Sequence, residues 1–173
     1  MFIDTLRRRR SIRKYTDRKL DNATLELIRE TLLRSPTSRG RNPWEFVLVT
    51  DAELLKKLAR AKMLGTGFIA DAPLAVVILG NEKTSDVWVE DCSIAAINLQ
   101  LLATDIGLGS CWGQIRKRPH SKDTSAELYV QELLGIPAHL RVGMIIAIGY
   151  PAESKPPVPF EKLDQSKIHT DHY

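Results

Sequence analysis

The stretch "DVWVEDCSIAAINLQLLATDIG", residues 86–107, decides how the chain is read. Its spacing predicts one long helix from Asp86 to Ile106, stopped by Gly107 at the position where a left-handed residue closes a helix. Trp88, Val89, Cys92, Ile94, Ala95, Ala96, Ile97, Leu99, Leu101, Leu102 and Ala103 leave it little polar surface. A helix apolar around most of its circumference must be covered on most sides. In a chain of 173 residues two covers are open: its own strands and helices, or a second subunit.

Working outward, a short helix is expected over residues 2–10, and a second over "NATLELIRETLL", with Asp21 as N-cap and Leu20 and Leu25 as a hydrophobic staple. Leu25, Ile28 and Leu32 line its buried face, and Pro36 stops it. "WEFVLV" (44–49) reads as a strand, followed by an amphipathic helix from Asp51 to about Lys62. "LAVVILG" (74–80), "GSCWGQI" (109–115) and "VGMIIAIGY" (142–150) read as three more strands. Thr124 and Glu127 have the capping-box spacing for a helix that ends at Gly135. Helices and strands alternate without a regular β-α-β rhythm, which predicts an α+β fold, a central mixed or antiparallel sheet flanked by helices. The length suits a single domain over residues 1–173. "PAESKPPVPF" is too rich in proline to continue a strand, so residues 151–173 are expected as an extended C-terminal arm.

Composition narrows the function classes. No apolar run of eighteen or more residues is present, so no membrane span is expected. The N-terminus lacks the pattern of a secretory signal. Cys92 and Cys111 have no metal or redox spacing and are expected as buried free thiols in a reducing cytoplasm. His169 and His172 stand without further ligands, and no metal site is expected. Net charge is +4, but Arg7, Arg8, Arg9, Arg10, Arg13 and Lys14 contribute +6, so the rest of the chain sums to −2. A nucleic-acid surface would spread its cations along a face or groove, which argues against one here.

The basic run "RRRRSIRKY" (7–15) divides on a helical wheel. With Arg7 at zero, Arg8, Arg9 and Arg10 point to roughly 100°, 200° and 300°, and the apolar stripe of Phe2, Ile3 and Leu6 lies near the last two. Arg7 and Arg8 are therefore expected in solvent, with Arg8 paired to Asp4 one turn earlier. Arg9 and Arg10 are expected to face the body. If residues 11–15 then run extended, Ser11, Arg13 and Tyr15 share one side. Arg9, Arg10, Ser11 and Arg13 could converge on one anion; internal pairing with the 21 acidic residues is the competing reading.

Four segments in order, "RRSIRKY", "SPTSRGRNPWEF" (35–46), "GLGSCW" (107–112) and "AIGYPAESKP" (147–156), resemble the nitroreductase family of flavin mononucleotide (FMN) enzymes, as does the closing "KIHTDHY". The resemblance spans nearly the whole chain. It implies a homodimer with two FMN sites at the subunit interface. Arg9, Arg10, Ser11 and Arg13 would hold the flavin phosphate and ribityl chain. Pro36, Thr37, Ser38 and Asn42 would reach the flavin from the partner subunit. Trp112, Gly113 and Gln114 would line the isoalloxazine, with a backbone N–H near N5, and Lys155 would also reach the phosphate. Two positions depart from the pattern: Gly40 stands where Asn is common, and Pro157 where a second late basic residue is common.

The implied activity is that of a cytoplasmic oxidoreductase: NADH or NADPH reduces FMN, and reduced FMN reduces an electron-poor acceptor such as a nitroaromatic or quinone. No side-chain acid or base is required. Two alternatives stay open, a non-catalytic FMN-binding or regulatory dimer and a flavoenzyme of the same fold acting on another metabolite.

Overall fold

The computed structural model describes residues 1–173. Its centre is one sheet of four strands, β1 (Trp44–Val49), β2 (Leu74–Gly80), β3 (Gly109–Gln114) and β4 (Arg141–Gly149), in the order β1-β2-β4-β3. Every pairing is antiparallel, so the mixed alternative falls away. β2 and β4 are the inner strands, which is why both read as continuous apolar runs: each has two covered faces.

The two-residue period sorts those strands into two cores. Leu74, Val76 and Ile78 of β2 join Met144, Ile146 and Ile148 of β4 on one face. The long helix α4 (Trp88–Asp105) lies there, burying Cys92, Ala95, Ala96, Leu99 and Ala103, and α2 (Asn22–Leu33) packs outside it through Ile28 and Leu32. Ala75, Val77, Val142, Ile145 and Ala147 form the other face beneath α3 (Ala52–Leu58) and α5 (Ala126–Leu134). The chain's own elements thus cover most of α4, although Ile94 and Ile97 remain 38% and 37% exposed. A thiol placed this deep is inert: burial pushes Cys92 up to about 12, and its Sγ–H donates to the Leu79 carbonyl.

Local chemistry explains most helix ends. Asp21 accepts from Thr24 N–H and Asp51 from Leu54 N–H, each at 2.8 Å, the expected N-cap geometry. At the end of α4, Leu108 N–H bonds the Ala103 carbonyl at 2.7 Å and Gly107 N–H bonds Thr104, with Gly107 at φ 78°. α3 stops at Leu58 rather than Lys62 because the chain tightens into i→i+3 bonds at Arg60 and Ala61. The expected Thr124–Glu127 capping box does not form. Ser125 caps α5, accepting from Leu128 N–H, while Glu127 is drawn to Arg141 at 2.8 Å and Val142 N–H at 3.0 Å.

Helix α1 (Phe2–Arg8) ends two residues short of the expected span, and its apolar stripe does not face the body: Phe2, Ile3 and Leu6 are exposed. Only Thr5 is buried, its hydroxyl donating to Asp105 of α4. Beyond β4, residues 151–173 contain two single helical turns, 160–162 and 165–167, and no strand. Glu153 and Lys155 are half-buried; the remainder is exposed, including Val158, Phe160, Leu163 and Ile168.

Candidate functional site

The basic segment is anchored to β3. Ser11 bridges Ser110 in parallel, and Ile12 N–H donates to the Ser110 carbonyl at 2.9 Å. Ile12 then enters the core over Gly109, where a Cβ would come within 2.7 Å of its methyl carbon, so only glycine leaves room. Tyr15 is also buried, with its hydroxyl donating to the Ile12 carbonyl at 2.6 Å. Burial raises its pKa far out of the working range, so it acts as a neutral anchor. Strict alternation therefore fails at Tyr15, which turns inward while Arg13 stays exposed.

The C-terminal arm crosses the same place. Ala152 N–H bonds the Lys14 carbonyl, the Lys155 ammonium donates to the Ser11 carbonyl at 2.6 Å, and Arg10 donates to the Pro156 carbonyl. Glu153, a residue that sequence reasoning passed over, accepts from Arg13 N–H at 2.5 Å and lies 3.2 Å from the Lys155 ammonium. On the neighbouring strand Cys111 is raised by burial, opposed by the nearby charges of Arg13 and Lys155 and by a hydrogen bond to Ser11. Ser11, Arg13 and Lys155 thus converge beside Cys111. A cavity of about 390 Å³ opens here between the arm and the end of α4, lined by Arg8, Arg10, Gly107, Gly109, Glu153 and Lys155.

The arginines divide, but not by the wheel. Arg9 leaves the helix in extended backbone (φ −59°, ψ 119°), so wheel angles do not describe it or Arg10. Arg7, not Arg8, reaches the Asp4 carboxylate (3.3 Å); Arg8 lies 3.9 Å from Asp105. Arg10 is occupied by Pro156. Arg9 is half-buried and has no acceptor in the chain, and the Arg13 guanidinium has none either. Internal pairing therefore accounts for Arg7, Arg8 and Arg10 and leaves two guanidinium groups for an external anion.

Glu153 gives this region a pH dependence. The Arg13 N–H, and then Lys155, hold its carboxyl below the usual carboxylate range. A carboxylate with a depressed folded pKa holds the arm above its unfolded value and releases it as pH falls through the folded one. Proteolysis of the arm should therefore accelerate in acid. The Glu153→Gln variant should be cleaved at the faster rate already at pH 7; a variant as resistant as the parent would exclude this tether.

β3 itself presents an open edge. Gly109, Cys111, Gly113 and Ile115 direct their backbone groups to β4, so the alternation turns the N–H groups of Trp112 and Gln114 outward. Trp112 Nε1–H donates to Gln114 Oε1 at 2.9 Å, and Gln114 donates to the Arg116 carbonyl. Thr66, from the loop that precedes β2, touches Gly113: a Cβ there would lie 3.2 Å from its methyl. The Thr66 hydroxyl is buried without any partner, which calls for one. Cations at one end, outward N–H groups along the strand and an orphan hydroxyl beside it fit an elongated ligand with a phosphate tail and a polar ring system, as FMN is.

Residues 36–42 lie elsewhere. Thr37 Oγ1–H donates to Asn42 Oδ1 at 2.9 Å and accepts from Asn42 N–H, while Arg39, Gly40 and Asn42 all adopt positive φ. The 2%-exposed Asp91 of α4 accepts from Ser38 N–H at 2.8 Å and from the Ser85 hydroxyl, fixing the loop to the helix. This loop leads into β1, at the opposite edge of the sheet from β3. Three strand spacings separate the two edges, roughly 14 Å. Within one chain Pro36, Thr37, Ser38 and Asn42 do not join Ser11, Arg13, Trp112, Gly113, Gln114 and Lys155. No group of three or more His, Cys, Asp or Glu side chains is placed to hold a metal, and no helix is long and apolar enough to cross a membrane.

The sequence model of the Nitroreductase family matches residues 6–66 and 59–150. A protein of Archaeoglobus fulgidus assigned as an NADH dehydrogenase/NAD(P)H nitroreductase is 35% identical over 151 residues, covering 85% of this chain and 83% of its own. One of Methanothermobacter thermautotrophicus with the same assignment is 30% identical, over 99% and 87%. Among solved structures, an FMN-dependent nitroreductase from Clostridium difficile R20291 superposes with a TM-score of 0.97 at 41% identity, over 99% of both chains.

Proposed function

Because the chain belongs to the nitroreductase family, we propose that it is an FMN-dependent oxidoreductase working as a homodimer, with NADH or NADPH as donor and an electron-poor small molecule, a nitroaromatic or quinone, as acceptor. FMN, when bound, supplies the chemistry of accepting a hydride and releasing electrons. The observation that carries the reading is the pair of unpartnered guanidinium groups, Arg9 and Arg13, at one end of the open β3 edge.

In this reading Arg9, Ser11 and Arg13 bind the phosphate, and Arg10 and Lys155 close the arm over it through Pro156 and Ser11. The outward N–H groups of Trp112 and Gln114 face the flavin ring system, with the Thr66 hydroxyl beside them. Fixed N–H dipoles aimed at a ring that gains electron density favour its reduction, because they need no reorganisation. Gln114 and Trp112 satisfy one another, so the edge holds no side chain that must move a proton.

The two sheet edges support the homodimer. Pro36, Thr37, Ser38 and Asn42 can meet a β3 edge only on a second copy. Exposed Phe2, Ile3, Leu6 and Ile97, with Phe160 and Leu163 of the arm, provide apolar surface for such an association. Free buried thiols suit a reducing compartment, in keeping with a cytoplasmic enzyme.

The purified protein should be yellow, sediment near twice 19.5 kDa, lose its flavin colour anaerobically with NADPH or NADH, and regain it on adding a quinone. A colourless protein that takes up no added FMN would remove the proposal at its root.

A further inference from the structure

The turn after β3 carries more positive charge than its surroundings neutralise. Arg116, Lys117, Arg118 and Lys122 fall within residues 116–122, and none belongs to an ion pair. Their wall of the molecule is a cavity of about 540 Å³ with no hydrophobic lining residue. Glu127, a carboxylate within reach, is already committed to Arg141 at 2.8 Å, which leaves Asp123 as the one unpaired acid of the lining.

The turn is held rigid although most of it is exposed. Ala126 N–H bonds the Arg118 carbonyl, and His120 and Ser121 N–H both bond the Thr124 carbonyl, at 2.9, 2.9 and 3.0 Å. The Ser121 hydroxyl accepts from Thr124 N–H, and His120 stacks on Tyr129 at 4.0 Å while its Nδ1–H donates to the Arg60 carbonyl. Arg116 lies over the Trp88 ring at 5.6 Å. Lys117 sits at φ 58°, a left-handed conformation that disfavours a side chain with a Cβ. A strained cation in a braced loop next to a cofactor strand calls for a function.

The charge continues toward β3. Arg60, Lys62, Thr66 and His120 share a second cavity of about 410 Å³, and neither Arg60 nor Lys62 is in an ion pair. Burial, and then the Arg118 charge, hold the Lys62 ammonium below the usual lysine range, as expected where cations crowd without an anion. Two separate cavities, one ending at His120 and the other flanking it through Pro119 and Ser121, thus form a cationic track from Thr66, which touches Gly113, to Lys122.

We propose that this track seats the 2′-phosphate of the electron donor, with Arg118 and Lys122 as its principal ligands, and makes the enzyme select NADPH over NADH. The inference rests on the oxidoreductase reading above. A nicotinamide stacked at the β3 edge would place the rest of an elongated dinucleotide along this track. The pyrophosphate common to both donors carries about two negative charges and would occupy the cations nearest β3. The track holds six cations against Asp123, enough for a further phosphate dianion, which only NADPH offers. Guanidinium forks suit such a group.

The test uses the FMN-loaded full chain and two probes, adenosine 2′,5′-bisphosphate and 5′-AMP, titrated by calorimetry. The bisphosphate should bind about tenfold tighter or more, the scale of one charge-assisted contact. In the Arg118→Ala/Lys122→Ala variant, both side chains being exposed, that preference should collapse, and kcat/KM should fall about tenfold for NADPH more than for NADH. Equal affinity of the parent for both probes, or equal losses with both donors, would overturn the site. A chain that keeps the nucleotide preference yet never bleaches its flavin would retain the site and lose the oxidoreductase reading; equal bleaching by both donors does the reverse.

Discussion

Replacing Arg9 by alanine should raise the FMN dissociation constant by about 10- to 100-fold, while Arg7→Ala should leave it within about twofold. The difference comes from what each guanidinium already holds. Arg7 is 64% exposed and faces Asp4. Such a surface pair is worth about 0–1 kcal/mol. Arg9 is half-buried with no acceptor, so its hydrogen-bonding capacity is spent only on an incoming anion. A charge-assisted contact of that kind contributes about 1.5–3 kcal/mol, which sets the range. The apo-protein should not lose stability in Arg9→Ala, because an unpaired, partly buried charge favours the fold little or not at all. Flavin-fluorescence titration of the two variants decides the matter, and equal losses would assign the two arginines the same role.

Gly109→Ala should damage fold and cofactor site together. The added methyl would lie 2.7 Å from the methyl carbon of Ile12 and 2.8 Å from its Cβ, the stem of a stiff, buried side chain. Overpacking of this kind costs about 1–3 kcal/mol, or roughly 2–12 °C in melting temperature for a chain of this size. Ile12 is also the residue whose N–H ties the basic segment to Ser110, flanked by Ser11 and Arg13. Its displacement should cost FMN affinity at least as much as Arg9→Ala does. A variant that melts lower but binds FMN normally would show that the segment keeps its place without Ile12.

Periodicity and end signals placed nearly every element, because β2, β4 and α4 are long, buried and strongly patterned. The misses share one cause, a distant partner overriding a local preference. Arg9 and Arg10 continue a helical pattern, but pairing with Ser110 of β3 pulls the chain extended, and no local signal announces that strand. Glu127 has the spacing of a capping box, yet Arg141 and Val142 offer it a better tertiary partner. Thr66 and Glu153 were invisible for a similar reason: their contacts with Gly113 and Arg13 join distant parts of the chain, 140 residues apart in the second case. The order of family motifs was legible, but the edge of the sheet each motif occupies was not. That needed the strand order β1-β2-β4-β3.

In the homodimer proposed above, the same strand order would couple two equilibria that are usually treated separately. With the half-sites on opposite edges of each sheet, the proposed FMN site exists only where two copies meet, so association and cofactor binding are linked. Whatever factor dimerisation adds to FMN affinity, FMN returns to the dimer. Dilution then acts as an antagonist of the flavin, and added FMN acts as a glue between subunits. Holoenzyme content becomes a property of the protein's concentration as much as of any residue in the site.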